Sequence, residues 1–294
     1  MIATGFTGGW LDRADHVRGD PDALARLTGD WRARLLKLQG GDPSVDAEGR
    51  LAWGTLADAA DDGTLVFLGL DDGGRPHFAE SRPGDASGPA RSPALYRMLD
   101  AMPAGDAAIF GAVRSVTGWH ARNRFCANCA TPTQVTRGGW LRKCPSCAAE
   151  HYPRVDPVVI MLAEHDGRAL LGRQAMWPKG RYSALAGFVE PGESLEEAVA
   201  REVHEEAGVR VRDVRYVASQ PWPFPGQLMI AAVGIADDDT LTIDANEIEH
   251  AIWATRDEVR AALAGDPAAP FLPPPPYAIA RTLLEWWTAQ SPAA

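Results

Sequence analysis

The sequence predicts an α/β protein in three parts: an N-terminal α+β domain over residues 1–123, a small cysteine module over 124–152, and an α/β domain over 153–294. Three observations point there. Apolar runs of strand length alternate with Gly- and Asp-rich turns near the N-terminus. Two CxxC pairs stand close together in the middle of the chain. Beyond them, strand-like runs bracket a strongly capped acidic helix.

In the first part, residues 34–38, 51–56 and 64–70 are the strand-like runs. Segments 40–42 and 71–74 read as turns between them. The stretch 84–93, GDASGPARSP, reads as an exposed linker. Two helical patterns follow, at about 93–102 and 106–121, the second with Ile109, Phe110, Val113 and Val116 on one face. Nothing in this part carries recognisable chemistry, so it reads as a scaffold or dimerisation domain.

The second part holds all four cysteines, Cys126, Cys129, Cys144 and Cys147. Scattered buried thiols would not fall into two CxxC pairs, and disulfides are disfavoured in a reducing cytosol. Four thiolates on two tight turns suit a closed tetrahedral Zn²⁺ site. Such a site leaves no position for water, so the zinc is expected to be structural. Gly138 and Gly139 lie where a hairpin between the two pairs could reverse. A CxxC redox centre is the alternative, but it would use only one pair.

The third part opens with apolar runs at 158–162 and 168–172 around Asp166-Gly167, a hairpin signal. A helix near 194–206 follows, then strands near 211–219, 228–235 and 249–253. Thr255 and Glu258 make a capping box for another helix. A proline run at 273–276 precedes a last helix over about 277–289.

Bulk properties narrow the function. Of 294 residues, 46% are hydrophobic and 23% charged, as in ordinary globular proteins. The net charge of −10 lacks the broad basic footprint of a DNA-binding protein. No apolar stretch approaches membrane-spanning length, and no basic segment followed by an apolar core marks the N-terminus. A cytoplasmic protein with no membrane partner is expected.

The acidic helix carries the chemistry. Residues 187–209 read GFVEPGESLEEAVAREVHEEAGV. Ser194 and Glu197 form a capping box, and Gly208 stands where a helix ends. Leu195, Val199 and Val203 recur at core spacing. Glu202, Glu205 and Glu206 share another face. Like charges at that spacing repel unless a cation neutralises them, and hard carboxylate oxygens suit Mg²⁺ or Mn²⁺. The plain alternative is a solvated acidic face.

The whole segment resembles the Nudix box, Gly-x5-Glu-x7-Arg-Glu-U-x-Glu-Glu-x-Gly-U with U aliphatic. Gly187, Glu193, Arg201, Glu202, Val203, Glu205, Glu206, Gly208 and Val209 fill its fixed positions. The resemblance implies a Nudix α/β/α sandwich around a mixed sheet, preceded here by the zinc ribbon and the N-terminal α+β domain. It implies metal-dependent cleavage of a nucleoside diphosphate linked to another moiety. Glu202, Glu205 and Glu206 would be catalytic and hold the metals, with Arg201 orienting them and Glu193 in support.

Beyond the box, residues 219–225 read SQPWPFP. Three prolines stiffen an extended segment and are expected to expose Trp222 and Phe224 as a wall for a flat ring. With the cysteine module and YPRVDP at 152–157, this resembles the NADH pyrophosphatase, or NudC-like, subfamily. That resemblance implies hydrolysis of NAD(H) to nicotinamide mononucleotide and AMP by a homodimer. It places Gln220, Pro221, Trp222, Pro223, Phe224, Pro225, Gly226 and Gln227 along the nucleotide site. Tyr152 and Phe188 fall at ring-stacking positions. Glu247 falls at a further acidic metal position that also touches substrate. Ala186 would offer a backbone carbonyl to metal, and Ala280 a backbone contact to substrate. Gln227 departs from the usual Ser, which alters one polar contact of the pattern. The alternatives are removal of NAD caps from RNA 5′ ends, hydrolysis of a derivative such as ADP-ribose, and a Nudix-fold nucleotide sensor without catalysis. The intact glutamates argue against the sensor.

Overall fold

The computed structural model describes residues 2–82 and 92–290. It divides into two compact units: Phe6–Val155 with Pro221–Gln227, and Met1–Gly5 with Asp156–Gln220 and Leu228–Ala294. Among the described residues, no helix is long and apolar enough to cross a membrane.

The first of these units opens with two short helices, α1 (Asp15–Arg18) and α2 (Pro21–Thr28). Asp20 caps α2 by accepting from Asp22 N and Ala23 N. Six strands follow: β1 (Arg34–Leu36), β2 (Leu38–Gln39), β3 (Asp42–Pro43), β4 (Trp53–Gly54), β5 (Thr64–Leu70) and β6 (Pro76–Ser81). Four of them form a sheet in the order β4-β1-β6-β5. The expected strand at 51–56 is only the two-residue β4, because Leu56–Asp58 turns into a 3-10 helix under its own capping box. Sequence periodicity also missed α1, α2 and β6. All six residues of β6, including His77, Glu80 and Ser81, are buried, so no polar alternation marks it.

The expected linker at 84–93 falls mostly outside the described residues. Its end, Ser92, caps α3 (Pro93–Ala101), and α4 (Ala104–Arg122) follows. Ile109, Phe110, Val113 and Val116 are buried as expected, but so are Trp119 and His120, since α4 is covered on most sides. The cysteine module then forms a three-stranded sheet of β7 (Gln134–Thr136), β8 (Leu141–Lys143) and β9 (Glu150–His151). The chain reverses through Gly138 and Gly139, both at positive φ.

The other unit is a six-stranded sheet between helices. Its strands are β10 (Asp156–His165), β11 (Arg168–Arg173), β12 (Leu185–Phe188), β13 (Val211–Trp222), β14 (Gln227–Ala236) and β15 (His250–Thr255). The order is β13-β14-β10-β11-β15, with β12 also paired to β10. Asp166-Gly167 makes the expected hairpin between β10 and β11, both residues at positive φ. Alternation along β10 sorts its side chains into two cores. Val159 and Met161 pack with Ala198, Val199 and Val203 of α5 (Leu195–Ala207). Ile160 and Leu162 pack with α6 (Arg256–Ala264) and α7 (Ile279–Ala289) through Val259, Leu283, Leu284 and Trp287. Helices on both faces make this the α/β/α sandwich.

Candidate active site

The site grows from α5. Ser194 and Glu197 make the expected capping box, and Gly208 ends the helix at φ 74°. Val199 and Val203 face the core, and Leu195 packs at its margin. The turns that bury these residues also carry Glu202 and Glu206 inward; both are buried. Residues 242–244 dock on the last turn of α5, where Thr242 N donates to Ala207 O and Asp244 N to Glu206 O. Glu247 N then donates to Asp244 O, a turn that brings the Glu247 carboxylate to the site. One oxygen from each of Glu202, Glu206 and Glu247 lies within 4.8 Å of the others.

Glu205 is not brought into this cluster. At 100° per residue it lies to the side of the Glu202–Glu206 pair. It is exposed and bonds Arg201 Nη1 at 2.9 Å. Arg201 is the hub: it also donates to both Glu193 oxygens at 2.6 and 2.8 Å, to Glu202 Oε1 at 2.9 Å and to Phe188 O at 2.8 Å. The guanidinium holds the Glu193 carboxyl at about 2. Lysine would carry the charge without the fork. Arg201→Lys is therefore expected to lower metal affinity and turnover by about 10- to 100-fold, as loss of ligand-orienting partners does. Steady-state kinetics across a Mg²⁺ titration read this out, and unchanged values would remove the positioning role.

The donor set fits a hard divalent cation on this structure's own terms. Burial, then the neighbouring charges of Glu202 and Glu247, push the Glu206 carboxyl up to about 8. Burial raises Glu202 as well. Among the described residues, these three crowded carboxylates, two of them buried, have no ion-pair partner except Arg201 beside Glu202. β12 closes the cradle. A Cβ on Gly187 would fall 1.8–2.1 Å from the Glu202 carboxylate atoms, so only glycine fits. The Ala186 N–H hydrogen-bonds Glu206 and holds that carboxyl down somewhat.

The four cysteine sulfurs also converge, within 4.8 Å of one another. Neighbouring Sγ pairs are 3.5–3.6 Å apart. That is far from the roughly 2.05 Å of a disulfide and close to the edge of a tetrahedron built on Zn–S bonds of about 2.3 Å. The two knuckles repeat each other: Ala130 N donates to Cys126 O, and Ala148 N to Cys144 O. His151 Nε2 lies 3.4 Å from Cys126 Sγ. Sequence reading passed over it, although a histidine four residues after the last cysteine is a signal.

The remaining sequence-predicted positions separate by environment. Phe188 and Tyr152 are exposed rings, the Tyr152 hydroxyl bonded to Glu150. Gln220 is fully buried, and its amide is spent within the fold: Nε2 donates to Tyr277 O and Oε1 accepts from Ile279 N. Ala280, in the first turn of α7, is buried in the core. The expected exposure of Phe224 is corrected. Its ring is 6% exposed and packs against Phe6, Trp222 and Tyr96 under the Arg114 guanidinium. Trp222 is half-buried against Phe6. Stiff prolines here fold the aromatic residues inward rather than holding them out. Pro223 is buried too, Pro221 and Pro225 are exposed, and Gly226 and Gln227 are half-buried.

Residues 153–273 match the family model of the NUDIX domain, and residues 121–152 that of the NADH pyrophosphatase zinc ribbon domain. The chain is 41% identical over 292 residues to the NAD-capped RNA hydrolase NudC of Mycobacterium bovis (strain BCG / Pasteur 1173P2), spanning 95% of this chain and 92% of that protein. The same figures hold for the NAD-capped RNA hydrolase NudC of Mycobacterium tuberculosis (strain ATCC 25618 / H37Rv). Identity to the NAD-capped RNA hydrolase NUDT12 of Homo sapiens is 39% over 269 residues, spanning 88% of this chain and 55% of that protein.

Proposed function

Because the chain belongs to the NudC-type Nudix hydrolases, we propose that it hydrolyses the diphosphate bridge of an NAD group, splitting NAD(H) into AMP and nicotinamide mononucleotide. The observation that carries this is the cluster of Glu202, Glu206 and Glu247, the first two buried, against Gly187. Those carboxylates would hold Mg²⁺ or Mn²⁺, with Glu205 and the Ala186 carbonyl at the margin. A divalent cation bound there neutralises diphosphate oxygens and acidifies the attacking water. Arg201 fixes Glu202 in place from outside the cluster. With its carboxyl pushed up to about 8 by burial and the neighbouring charges, Glu206 would release a proton on binding a cation there. In the reaction, water adds to one phosphorus and the bridging oxygen leaves with the other phosphate.

The exposed rings of Phe188 and Tyr152, the half-buried Trp222, Gly226 and Gln227 of the segment 220–227 and the backbone at Ala280 are our candidates for gripping the nucleotide, in a cytoplasmic homodimer. A second reading is the same cleavage at an RNA 5′ NAD cap. It is supported by the names of the mycobacterial and human relatives, and the cap presents the same diphosphate. Product chromatography from equimolar NADH, NAD-capped RNA and ADP-ribose with Mg²⁺ tests both. Expected products are AMP with reduced nicotinamide mononucleotide, and RNA bearing a 5′ monophosphate. Faster loss of the capped RNA assigns the second reading. ADP-ribose consumed first would overturn both.

A further inference from the structure

A cleft of about 540 Å³ in the N-terminal part takes no part in the proposed hydrolysis. Its lining follows from strand register. Arg34 on β1 pairs with His77 on β6, and Leu36 pairs with Trp53 on β4. Alternate residues of a strand share a face, so Arg34, Trp53 and His77 come to one side of the sheet. The buried His77 ring stands edge-on to two indoles, 5.1 Å from Trp10 and 4.7 Å from Trp53. Asp106 of α4 fixes this arrangement by accepting from Trp10 Nε1 and Leu51 N, both at 2.9 Å.

Two turns bring arginines to the same cleft. Asp46 Oδ1 accepts from Glu48 N and Arg50 N. Asp71 Oδ1 accepts from Gly73 N and Arg75 N. One oxygen of each aspartate is thus engaged by two backbone amides, while the arginines keep unspent donors. Among the described residues, the Arg34 and Arg50 guanidinium groups have no hydrogen-bond or ion-pair partner. Arg75 Nε is buried without a hydrogen bond, 3.8 Å from Asp71 Oδ2.

We propose that this cleft binds a nucleotide, with its phosphate on Arg34, Arg50 and Arg75 and its base against Trp10 and Trp53. Guanidinium forks match phosphate oxygens, and indole faces stack on any base. An acidic peptide would leave the rings unused, and an acyl chain would leave the arginines unused. The volume lies in the ordinary range for small-ligand sites. The same chemistry is offered by a free mononucleotide and by a nucleotide within an RNA strand.

Equilibrium dialysis of the full chain, in chelator so that nothing is hydrolysed, tests this with two probes: AMP and a short oligoriboadenylate. Saturable binding is expected, and Arg34→Gln/Arg50→Gln should weaken it at one site per chain by about tenfold or more, the worth of one charge-assisted hydrogen bond. Arg50→Gln alone, on an exposed turn, should move affinity the same way and guards against misfolding of the double variant. Tighter binding of AMP assigns a free nucleotide, and tighter binding of the oligomer assigns a strand. The proposal is overturned if neither probe binds at millimolar concentration, or if correctly folded double and single variants bind both probes as the wild type does.

Discussion

Glu206→Gln is expected to lose hydrolysis by about a thousandfold, equivalent to roughly 4 kcal/mol of barrier, while making the metal-free protein more stable. Both halves have one cause. Glu206 is 5% exposed and shares its site with Glu202 and Glu247. Burial, and then those two charges, hold its carboxyl at about 8. A carboxyl that binds its proton more tightly folded than unfolded stabilises the fold fully below its unfolded value, near 4.3. That stabilisation is lost as pH rises toward 8. The loss is on the order of 5 kcal/mol across the window. Glutamine resembles the neutral acid and cannot ionise, so the variant keeps the low-pH stability at pH 9. It also supplies no anion to a cation, so loading and turnover fail together. Thermal melts in chelator at pH 5 and pH 9 should show a midpoint that falls for the wild type and moves less for the variant. Adding Mg²⁺ at pH 7 should release protons from the wild type alone. Near-normal turnover at saturating Mg²⁺, or identical pH dependence of the two melts, would remove Glu206 from the role.

Much of this site was legible because local signals coincide with tertiary ones. The capping box at Ser194 and Glu197, the core stripe of Val199 and Val203, and the terminal Gly208 all agree with α5 as it stands. The convergence of Glu202, Glu206 and Glu247 was only half legible. Helical spacing sets Glu202 and Glu206 together. Glu247 arrives through backbone bonds of residues 242–244 to the end of α5, which no local pattern records. Spacing also put Glu205 on the shared face, yet its carboxylate turns out to Arg201. Phe224 shows the opposite failure. A proline-rich, polar-flanked segment reads as exposed, but Phe6, far away in sequence, supplies the ring that covers it. β6 was invisible for a related reason. His77 is buried because the Trp10 and Trp53 rings, distant in sequence, cover it while Nδ1 bonds Arg75 O, and Glu80 because the distant Ala60 N donates to it alongside the neighbouring Arg82.

Zinc loss should have the largest effect on folding. The cysteine module, residues 124–152, has three short strands and few buried apolar side chains, Leu141 among them. Its knuckles hold Ala130 and Ala148 at φ 58° and 60°, each against a cost of about 1–2 kcal/mol for a residue with a Cβ. So small a core does not offset that strain. Structural zinc contributes apparent binding energies of about 10–16 kcal/mol in peptides of this kind, and that energy is folding energy. The effect reaches past the module. Trp140 Nε1 donates to Phe67 O at 2.7 Å, and His120 bonds Gly139 O at 2.8 Å. Burial pushes His120 down to about 4, so it stays neutral, with Nε2 donating to Gly139 and Nδ1 accepting from Arg142. Cys144→Ser is therefore expected to lose zinc and to open amides in the module, Ala148 N and Cys126 N first, then those around Phe67. Elemental analysis should find one zinc per wild-type chain, retained under a mild chelator that strips Mg²⁺. Hydrogen exchange should show protection of α5 unchanged in the variant while the module exchanges freely. A wild-type protein made with ample zinc that contains none, yet keeps Ala148 N protected, would show that the thiols hold the fold without the metal.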